Sequence, residues 1–262
     1  IEGLSLALGL RGLRVAGIET AVDGLPGQGV VARITLAPGG EGDPLAAAVA
    51  RRSSWRGAFR RRDPDLPQRL AHLADARDDL VIIGETEAVS EVADLADRAA
   101  FHFLCDDAHR RELLHWMRLS RSDPHYGLDG LDAEALELGR IEAIAASLVL
   151  GPLFPALRHI GLAAPLTSER AKTSSGAIAL FHRPFDEDPL ETGRAFYRAW
   201  LAMEMTGLAA CPISVLADWP LSNRALVERF TVPPDRRLVN VFRVGASTSR
   251  DPTRHARLAV QD

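Results

Sequence analysis

The chain has 262 residues, 47% of them hydrophobic and 25% charged, with a formal net charge of −4. This composition is typical of a soluble globular protein with a full core, and the net charge provides no general attraction to nucleic acid or to an anionic membrane. Its two cysteines, Cys105 and Cys211, exclude a disulfide framework and suit a reducing, cytoplasmic compartment. No signal peptide is recognisable.

Helices and short strands are predicted to alternate from the first residues onward. Leu4 to Leu13 predicts an apolar helix that Gly17 ends. Ile18 to Val22 and the alternating run Val30 to Leu36 predict strands on either side of a turn rich in glycine and proline. Pro44 is well placed to begin the next helix, which ends in an arginine cluster. Because a helix is already under way at residue 1, we expect that an upstream part of the protein is missing.

The middle of the chain predicts more helix than strand. Leu80 to Ile83 and Ala177 to Phe181 are short buried strands. Between them, residues 111–165 combine helices with a turn-rich segment, and we interpret this stretch as a helical, lid-like insertion. Its most apolar run, Ile144 to Leu157, is too short to cross a bilayer. We expect a buried helix there that ends near Gly151.

A long helix from Pro189 organises the last third. Apolar side chains recur three and four residues apart within it, which is the helical period. Gly207 suits the left-handed conformation that ends a helix, and a short apolar strand follows. Arg237 to Val244 alternates as a strand and stops at Gly245. The element order predicts an α+β fold, with a central mixed or antiparallel sheet of about five strands surrounded by helices.

No self-contained catalytic or metal site is recognisable in the sequence. His102, Cys105 and His109 have a spacing that could ligate zinc, but no second pair of ligands follows. We therefore favour a polar helix start with one buried cysteine and predict no metal. Walker-type loops, GxGxxG loops and nucleophile-elbow serines are missing. If the protein is an enzyme, a cofactor carries the chemistry, and no catalytic side chain is assigned.

The helix that begins at Pro44 ends in a cluster of arginines and serines. Arginine offers a rigid fork of donors that suits a phosphate dianion, and neighbouring hydroxyl groups can complete such a site. The alternative, which composition alone favours, is a solvated helix end where cations interact with the helix dipole. The cluster consists of Arg51, Arg52, Ser53, Ser54 and Arg56.

Three segments in this order resemble the nitroreductase family, whose members are FMN proteins. Arg51 to Arg56 resembles the RRSxRxF opening of that family, with a spacing shifted by one residue at Arg56, and the match continues through Phe59. Gly207 to Ser214 is similar to its helix–glycine–strand segment, and Leu238 to Gly245 resembles its penultimate strand. Three stretches most resemble the divergent, lidded Acg-like branch, in which one chain holds two nitroreductase-like halves: Glu2 to Val15, His115 to Leu131 and the tail Thr253 to Leu258.

The resemblance implies a nitroreductase-like fold that binds FMN. An arginine near N1 and O2 of the flavin would favour its anionic reduced form. The alternative for the two arginines of the C-terminal tail is a solvated chain end. The implied contacts are Arg51, Arg52, Ser53 and Arg56 to the phosphate, ribityl chain and pyrimidine edge; Pro212, Ile213, Ser214 and Val215 along the flavin edge near N5; and Arg254 and Arg257 from the tail to the phosphate.

One departure from the family concerns its Pro-Ser-x-x-Asn-x-Gln-Pro-Trp segment, whose Asn contacts the flavin. No such segment occurs here. In the lidded branch it lies near the N-terminus. We therefore interpret residues 1–262 as a single domain, with residues 1–43 as the remnant of an N-terminal half and residues 44–262 as the nitroreductase-like half.

The resemblance implies an FMN-dependent NAD(P)H oxidoreductase. Hydride would pass from NADH or NADPH through flavin N5 to a small-molecule acceptor, such as a nitroaromatic, a quinone or another electrophile. The alternative is a non-catalytic lidded flavoprotein that sequesters FMN, or a domain of a larger protein; a third possibility is a purely structural role. In the family the flavin lies at a two-fold interface, so we expect a homodimer or a single-chain pseudo-dimer, without nucleic-acid or membrane partners.

Overall fold

A computed structural model describes residues 1–20 and 32–249 of the chain. The chain divides into two compact units. The first unit comprises the described part of residues 1–52 together with residues 188–205. The second comprises residues 53–187 and the described residues from 206 onward. Each unit combines helices with antiparallel strands, so the predicted α+β class is confirmed.

Strands and helices follow one another in short runs. Within the described residues the strands are β1 Leu13–Thr20, β2 Ala32–Pro38, β3 Leu80–Ile83, β4 Met117–Arg118, β5 Leu131–Asp132, β6 Ala177–Pro184, β7 Ala209–Pro212 and β8 Arg236–Gly245. The helices are α1 Glu2–Gly9, α2 Ala46–Val49, α3 Leu66–Ala76, α4 Thr86–Leu104, α5 Asp107–Trp116, α6 Arg140–Leu150, α7 Phe154–His159, α8 Ala163–Leu166, α9 Arg170–Thr173, α10 Pro189–Met205, α11 Val215–Asp218 and α12 Pro220–Arg229.

The first unit packs α1 and α2 against α10, and α1 also contacts the antiparallel pair β1–β2. Each of the three helices contributes one side chain to an apolar cluster: Leu6, Ala48 and Leu201, all buried. Leu45 and Tyr197 pack against this cluster. Burying one leucine side chain stabilises a fold by about 1.5–3 kcal/mol, so the cluster is a main source of stability in this unit.

The sequence prediction for the first twenty residues is wrong in its boundary. It extends the first helix to Leu13, but α1 ends at Gly9 and β1 already begins at Leu13. The turn between them closes at Gly12, whose φ of 70° lies in the left-handed region. Glycine adopts that region at little energetic cost. The β-branched side chains of Val15 and Ile18 then favour the extended conformation.

The long helix predicted after Pro189 is confirmed as α10, which runs to Met205. Asp188 precedes it, and the Oδ1 atom of Asp188 accepts a hydrogen bond from the amide of Leu190 at 2.8 Å. This contact satisfies one of the unpaired N–H groups at the helix start. Gly207 has a φ of 71°, so the helix stop expected at this glycine is also confirmed.

The second unit is built around one sheet with the strand order β3-β6-β8-β7, in which all neighbours are antiparallel. β6 is buried from Ala177 to His182, as a central strand requires. Val89 and Val92 of α4 belong to the same buried cluster as Ile178 and Leu180. Among the described residues this sheet has four strands rather than about five, because β1 and β2 form a sheet of their own.

Residues 111–165, the predicted lid-like insertion, fold mainly as helices. They contain the end of α5, the two-residue parallel pair β4–β5, and the helices α6 to α8. An apolar cluster of Leu104, Phe154 and Ala163 joins α7 and α8 to the end of α4. Whether the stretch acts as a lid stays a prediction. None of the helices in the described ranges has the length and hydrophobicity that a bilayer crossing requires.

α6 ends where the sequence predicts, beside Gly151, but it is not the buried helix that its composition suggests. Ile141 is 83% exposed, and Ile144 and Leu148 are about half exposed. Ala143, in contrast, is buried. The helix therefore directs a small side chain toward the protein and its large aliphatic side chains toward solvent. Hydrophobic content alone does not reveal this orientation.

Candidate functional site

The segment that follows the first two arginines of the cluster lies along the edge of the central sheet. β7 is the last strand of that sheet, and Ser54 forms a parallel bridge with Ala210 in the middle of β7. The amide of Trp55 donates to the carbonyl oxygen of Ala210 at 3.0 Å. Ser53 to Arg56 are therefore held at a sheet edge rather than at a solvated helix end.

Phe59 anchors the other end of this segment. Its side chain is buried, and its amide donates to the Oγ atom of Ser175 at 2.9 Å. A Cβ added at Gly245 would lie 2.7 Å from the Phe59 ring, and one at Gly176 would lie 2.6 Å from it. Glycine at both positions leaves the space that the ring occupies. We call residues 53–59, fixed at these two ends, the arginine loop.

A second arginine reaches the arginine loop from the sheet. Arg243 lies on β8 and is only 4% exposed. Its Nη1 atom donates to the carbonyl oxygen of Gly57 at 2.9 Å, and its Nη2 atom donates to that of Trp55 at 3.0 Å. These two carbonyl groups flank Arg56 in the sequence. The guanidinium group also lies 5.4 Å from the centre of the Phe59 ring.

Arg56 carries a buried donor that has no partner. The Nη1 atom of Arg56 is buried and forms no hydrogen bond with any described residue. None of the ion pairs among the described residues includes Arg56 or Arg243. Glu137 approaches Gly57 from outside the loop, since its Cγ would lie 3.3 Å from a Cβ at that glycine. The loop thus holds buried positive charge that no carboxylate of the described chain pairs with, an arrangement that an anion would neutralise.

The flavin-edge segment predicted from the family lies at the end of the same strand. β7 ends at Pro212, and the amide of Ile213 donates to the carbonyl oxygen of Val241 at 2.7 Å. Ser214 is exposed, and α11 begins at Val215. The structure therefore places two predicted groups of site residues, Ser53 with Arg56 and Pro212 to Val215, along one edge strand of the second unit.

Arg51 and Arg52 belong to the first unit, and each already has contacts there. Arg51 forms a 3.5 Å ion pair with Glu204. The Arg52 guanidinium lies over the Trp200 ring, 4.3 Å from its centre, and 5.4 Å from the centre of the Tyr197 ring. The Nε atom of Arg52 is buried and has no hydrogen-bond partner among the described residues. One nitrogen of Arg52 therefore remains unmatched inside the first unit.

The remaining residues that the sequence analysis considered are the two arginines of the tail and the zinc-like spacing. Arg254 and Arg257 lie outside the described residues. The histidine of the zinc-like spacing, His102, stacks on Trp219 with 5.0 Å between ring centres. No group of three or more histidine, cysteine or acidic side chains that could hold a metal ion occurs in residues 1–20 and 32–249.

Sequence reasoning missed the contribution of Arg243. The run Val241 to Gly245 is buried at every position, and a single cation interrupts its apolar residues. An arginine side chain in a strand that is buried on both faces needs hydrogen-bond acceptors nearby. That mismatch is the signal that could have identified Arg243, whereas nothing in the sequence indicates which carbonyl groups it contacts.

No family model and no curated protein matches the sequence. Among solved structures, the chain is similar to the FMN and NADPH-dependent nitroreductase NfnB from Sphigopyxis sp. strain HMH, with 16% identity, a TM-score of 0.44, and coverage of 84% of this chain and 96% of that one. It is similar to oxidised iodotyrosine deiodinase bound to FMN and 3-iodo-L-tyrosine, with 14% identity, a TM-score of 0.47, and coverage of 83% and 97%.

A third similar structure is the FMN-dependent nitroreductase NfnB from Mycobacterium smegmatis in complex with NADPH, with 16% identity, a TM-score of 0.39, and coverage of 83% and 96%.

Proposed function

We propose that this protein binds FMN through the arginine loop and the edge of β7, and that it acts as an FMN-dependent oxidoreductase. The observation that carries the proposal is the buried, unpartnered Nη1 atom of Arg56, which lies in a loop that Arg243 contacts. Neither arginine forms an ion pair within the described chain. A buried donor without a partner destabilises a fold by about 1–3 kcal/mol, and more when it is charged. A ligand phosphate that accepts from this donor would remove that penalty.

The residues of the loop suit a phosphate group better than a neutral ligand. Arginine donates through a planar fork that matches two phosphate oxygens, and it stays charged at every physiological pH. We assign the phosphate contact to Arg56, with the hydroxyl group of Ser53 as a further donor. Arg51 and Arg52 remain proposed contacts to the rest of the cofactor, as do Arg254 and Arg257 from the tail.

The end of β7 would meet the flavin edge. The amide of Ile213 is already engaged with Val241, so we assign the contact to Ser214, which is exposed, and to the neighbouring Pro212 and Val215. When bound, the flavin supplies hydride transfer at N5, while the protein supplies orientation and electrostatics. From the family resemblance we propose NAD(P)H as electron donor and a nitroaromatic, quinone or other electrophile as acceptor.

The family resemblance also extends to assembly and to the divergent branch. We propose an Acg-like protein that works as a homodimer or as a single-chain pseudo-dimer. Cys105 and Cys211 both carry free thiols, which fits the proposed cytoplasmic setting.

A second candidate function is storage or sequestration of FMN without turnover. The exposed aliphatic face of α6, formed by Ile141, Ile144 and Leu148, favours this candidate. An apolar surface in a lid-like insertion could cover a flavin and exclude nicotinamide. Both functions require bound flavin, and they differ in whether NAD(P)H reduces it.

An absorption spectrum of the purified full chain, followed by anaerobic addition of NADPH, separates these functions. Flavin bands at about 370 and 450 nm that bleach with NADPH support the oxidoreductase. Bands that persist with both NADPH and NADH support sequestration. A colourless protein that takes up no added FMN overturns both flavin functions and leaves a structural role.

A further inference from the structure

Arg243 is a buried cation in the middle of a sheet, and it is not among the FMN contacts that the family resemblance implies. It is 4% exposed, and no carboxylate of the described chain forms an ion pair with it. Moving a charged group out of water is expensive unless it is hydrogen-bonded. Its guanidinium group recovers part of this penalty from two carbonyl oxygens of the arginine loop.

The two carbonyl groups are those of Trp55 and Gly57, the residues immediately before and after Arg56. Hydrogen bonds of 3.0 and 2.9 Å to these groups restrict the peptide units on both sides of Arg56. A planar fork is well suited to this bracketing, because its donors have a fixed spacing that an ammonium group lacks. The backbone position of Arg56 is therefore set by a side chain of β8.

The loop is fixed from the opposite side as well. The amide of Trp55 donates to Ala210 on β7, and the Phe59 ring lies beneath the Arg243 guanidinium with its centre 5.4 Å away. β7, β8 and the Phe59 ring thus fix the backbone of the loop. The Nη1 atom of the Arg56 side chain, in contrast, has no partner among the described residues. The free donor of Arg56 therefore belongs to a residue whose backbone is held in place.

We propose that Arg243 is a positioning residue that holds the arginine loop in the conformation in which Arg56 recognises a phosphate dianion. That the ligand is FMN rests on the function proposed above, whereas the contacts between Arg243 and the loop do not depend on it. A phosphate-binding group is most effective when its geometry is fixed before the ligand arrives. Loss of the brace therefore weakens recognition of the phosphate rather than recognition of the isoalloxazine ring.

The test compares FMN with riboflavin, which lacks the phosphate, in binding to the full chain and its variants. For R243M we expect FMN affinity to fall at least about tenfold, the effect of losing charged hydrogen bonds that fix the donor, while riboflavin affinity changes little. R243K should restore part of the preference for FMN, because an ammonium group can still reach one carbonyl. L238A is the control, since Leu238 is a buried core residue of the same strand, and it should lower stability without changing the FMN-to-riboflavin ratio.

Hydrogen exchange of the amides of residues 55–57 provides a readout that needs no flavin. We expect faster exchange in R243M than in the wild type, and no such change in L238A. If the wild type binds FMN but R243M keeps the full preference for FMN over riboflavin, the positioning role is overturned and the proposed function stands. If the wild type binds no flavin, the proposed function fails. In that case, unchanged hydrogen exchange of residues 55–57 in R243M would separately overturn the positioning role of Arg243.

Discussion

Two arginine clusters, one in each unit, differ in how their charge is matched. In the first unit, Arg194 and Arg198 both donate to the buried carboxylate of Glu2, at 2.7 and 2.8 Å, and Arg198 also donates to Asp43 at 2.8 Å. In the second unit, neither Arg56 nor Arg243 forms an ion pair with a described residue. The first cluster is matched within the fold, whereas under the proposed function the charge of the arginine loop is matched by a ligand.

The electrostatics of the first unit agree with this distinction. Burial raises the pKa of Glu2, but the hydrogen bonds and charges of Arg194 and Arg198 outweigh burial and hold the pKa below its usual 4.5. For Asp43, burial is likewise outweighed by hydrogen bonds from the Leu45 amide and Arg198, so its pKa lies below 3.8. The carboxylates are thus stabilised in their charged form by partners within the unit.

The largest effect is expected from removing the unmatched charge. R56A should weaken FMN binding about a hundredfold, because a charged donor to the phosphate is lost. The free energy of unfolding should stay nearly the same or increase. Fluorescence quenching of FMN measures the affinity, and urea denaturation measures the stability. The control is R60A, since Arg60 is an exposed residue just beyond the loop. Equal FMN affinities for R56A and the wild type would remove the distinction between the two clusters.

Removing the paired carboxylate of Glu2, in contrast, should lower the stability of the protein. E2Q leaves Arg194 and Arg198 without their carboxylate, and we expect the free energy of unfolding to fall by about 2 kcal/mol, a value reduced from that of a fully buried pair because both arginines are partly exposed. Urea denaturation followed by circular dichroism measures it. E191Q removes an exposed partner of Arg194 and should cost less than about 1 kcal/mol. Similar losses in the two variants would contradict a special role for Glu2.

Lowering the pH should reveal how much the ion pairs of Glu2 contribute to stability. Because the pKa of Glu2 is lowered on folding, its stabilisation is fully present above the unfolded value of 4.5 and is lost as the pH falls through the folded pKa. We therefore expect the stability difference between the wild type and E2Q to shrink progressively below about pH 4.5. Unfolding curves recorded at a series of pH values between neutral and acidic measure this difference. A difference that stays constant across the series would argue against the ion pairs as its source.

The smallest effect concerns the ligand rather than the protein. A phosphate monoester loses its second negative charge with a pKa near 6, while the arginines of the loop stay charged throughout. FMN affinity should therefore fall a few-fold, about threefold to tenfold, between pH 7 and pH 5, and riboflavin affinity should stay level. Parallel titrations of the two flavins at several pH values test this expectation. An equal fall for riboflavin would assign the pH dependence to the protein.

Local patterns predicted the elements that depend on local chemistry. The helical period after Pro189 and the glycine at position 207 identified α10 and its end, and the alternation of Arg237 to Val244 identified β8. The arginine cluster also identified the loop that now carries the unmatched charge. In each case the deciding interactions are made by residues that are near one another in sequence.

The remaining features could not be predicted because they depend on distant parts of the chain or on orientation. The outward direction of Ile141 follows from which face of α6 packs inward, and a uniformly apolar helix contains no such information. The end of α1 depends on Gly12 taking a left-handed conformation, which competed with an apolar run that favoured helix. The role of Arg243 depends on carbonyl groups 186 and 188 residues away in sequence.

This separation in sequence has a consequence for synthesis of the protein. The arginine loop leaves the ribosome before the strand that fixes it, because Arg243 is made 186 residues after Gly57. Contacts of such long range form late in folding, and a nascent chain emerges from its N-terminal end first. A chain interrupted before Arg243 would contain the whole arginine loop without the side chain that fixes it. Under the proposed function, FMN would then bind only to chains whose synthesis has passed β8, well after the arginine loop has been made.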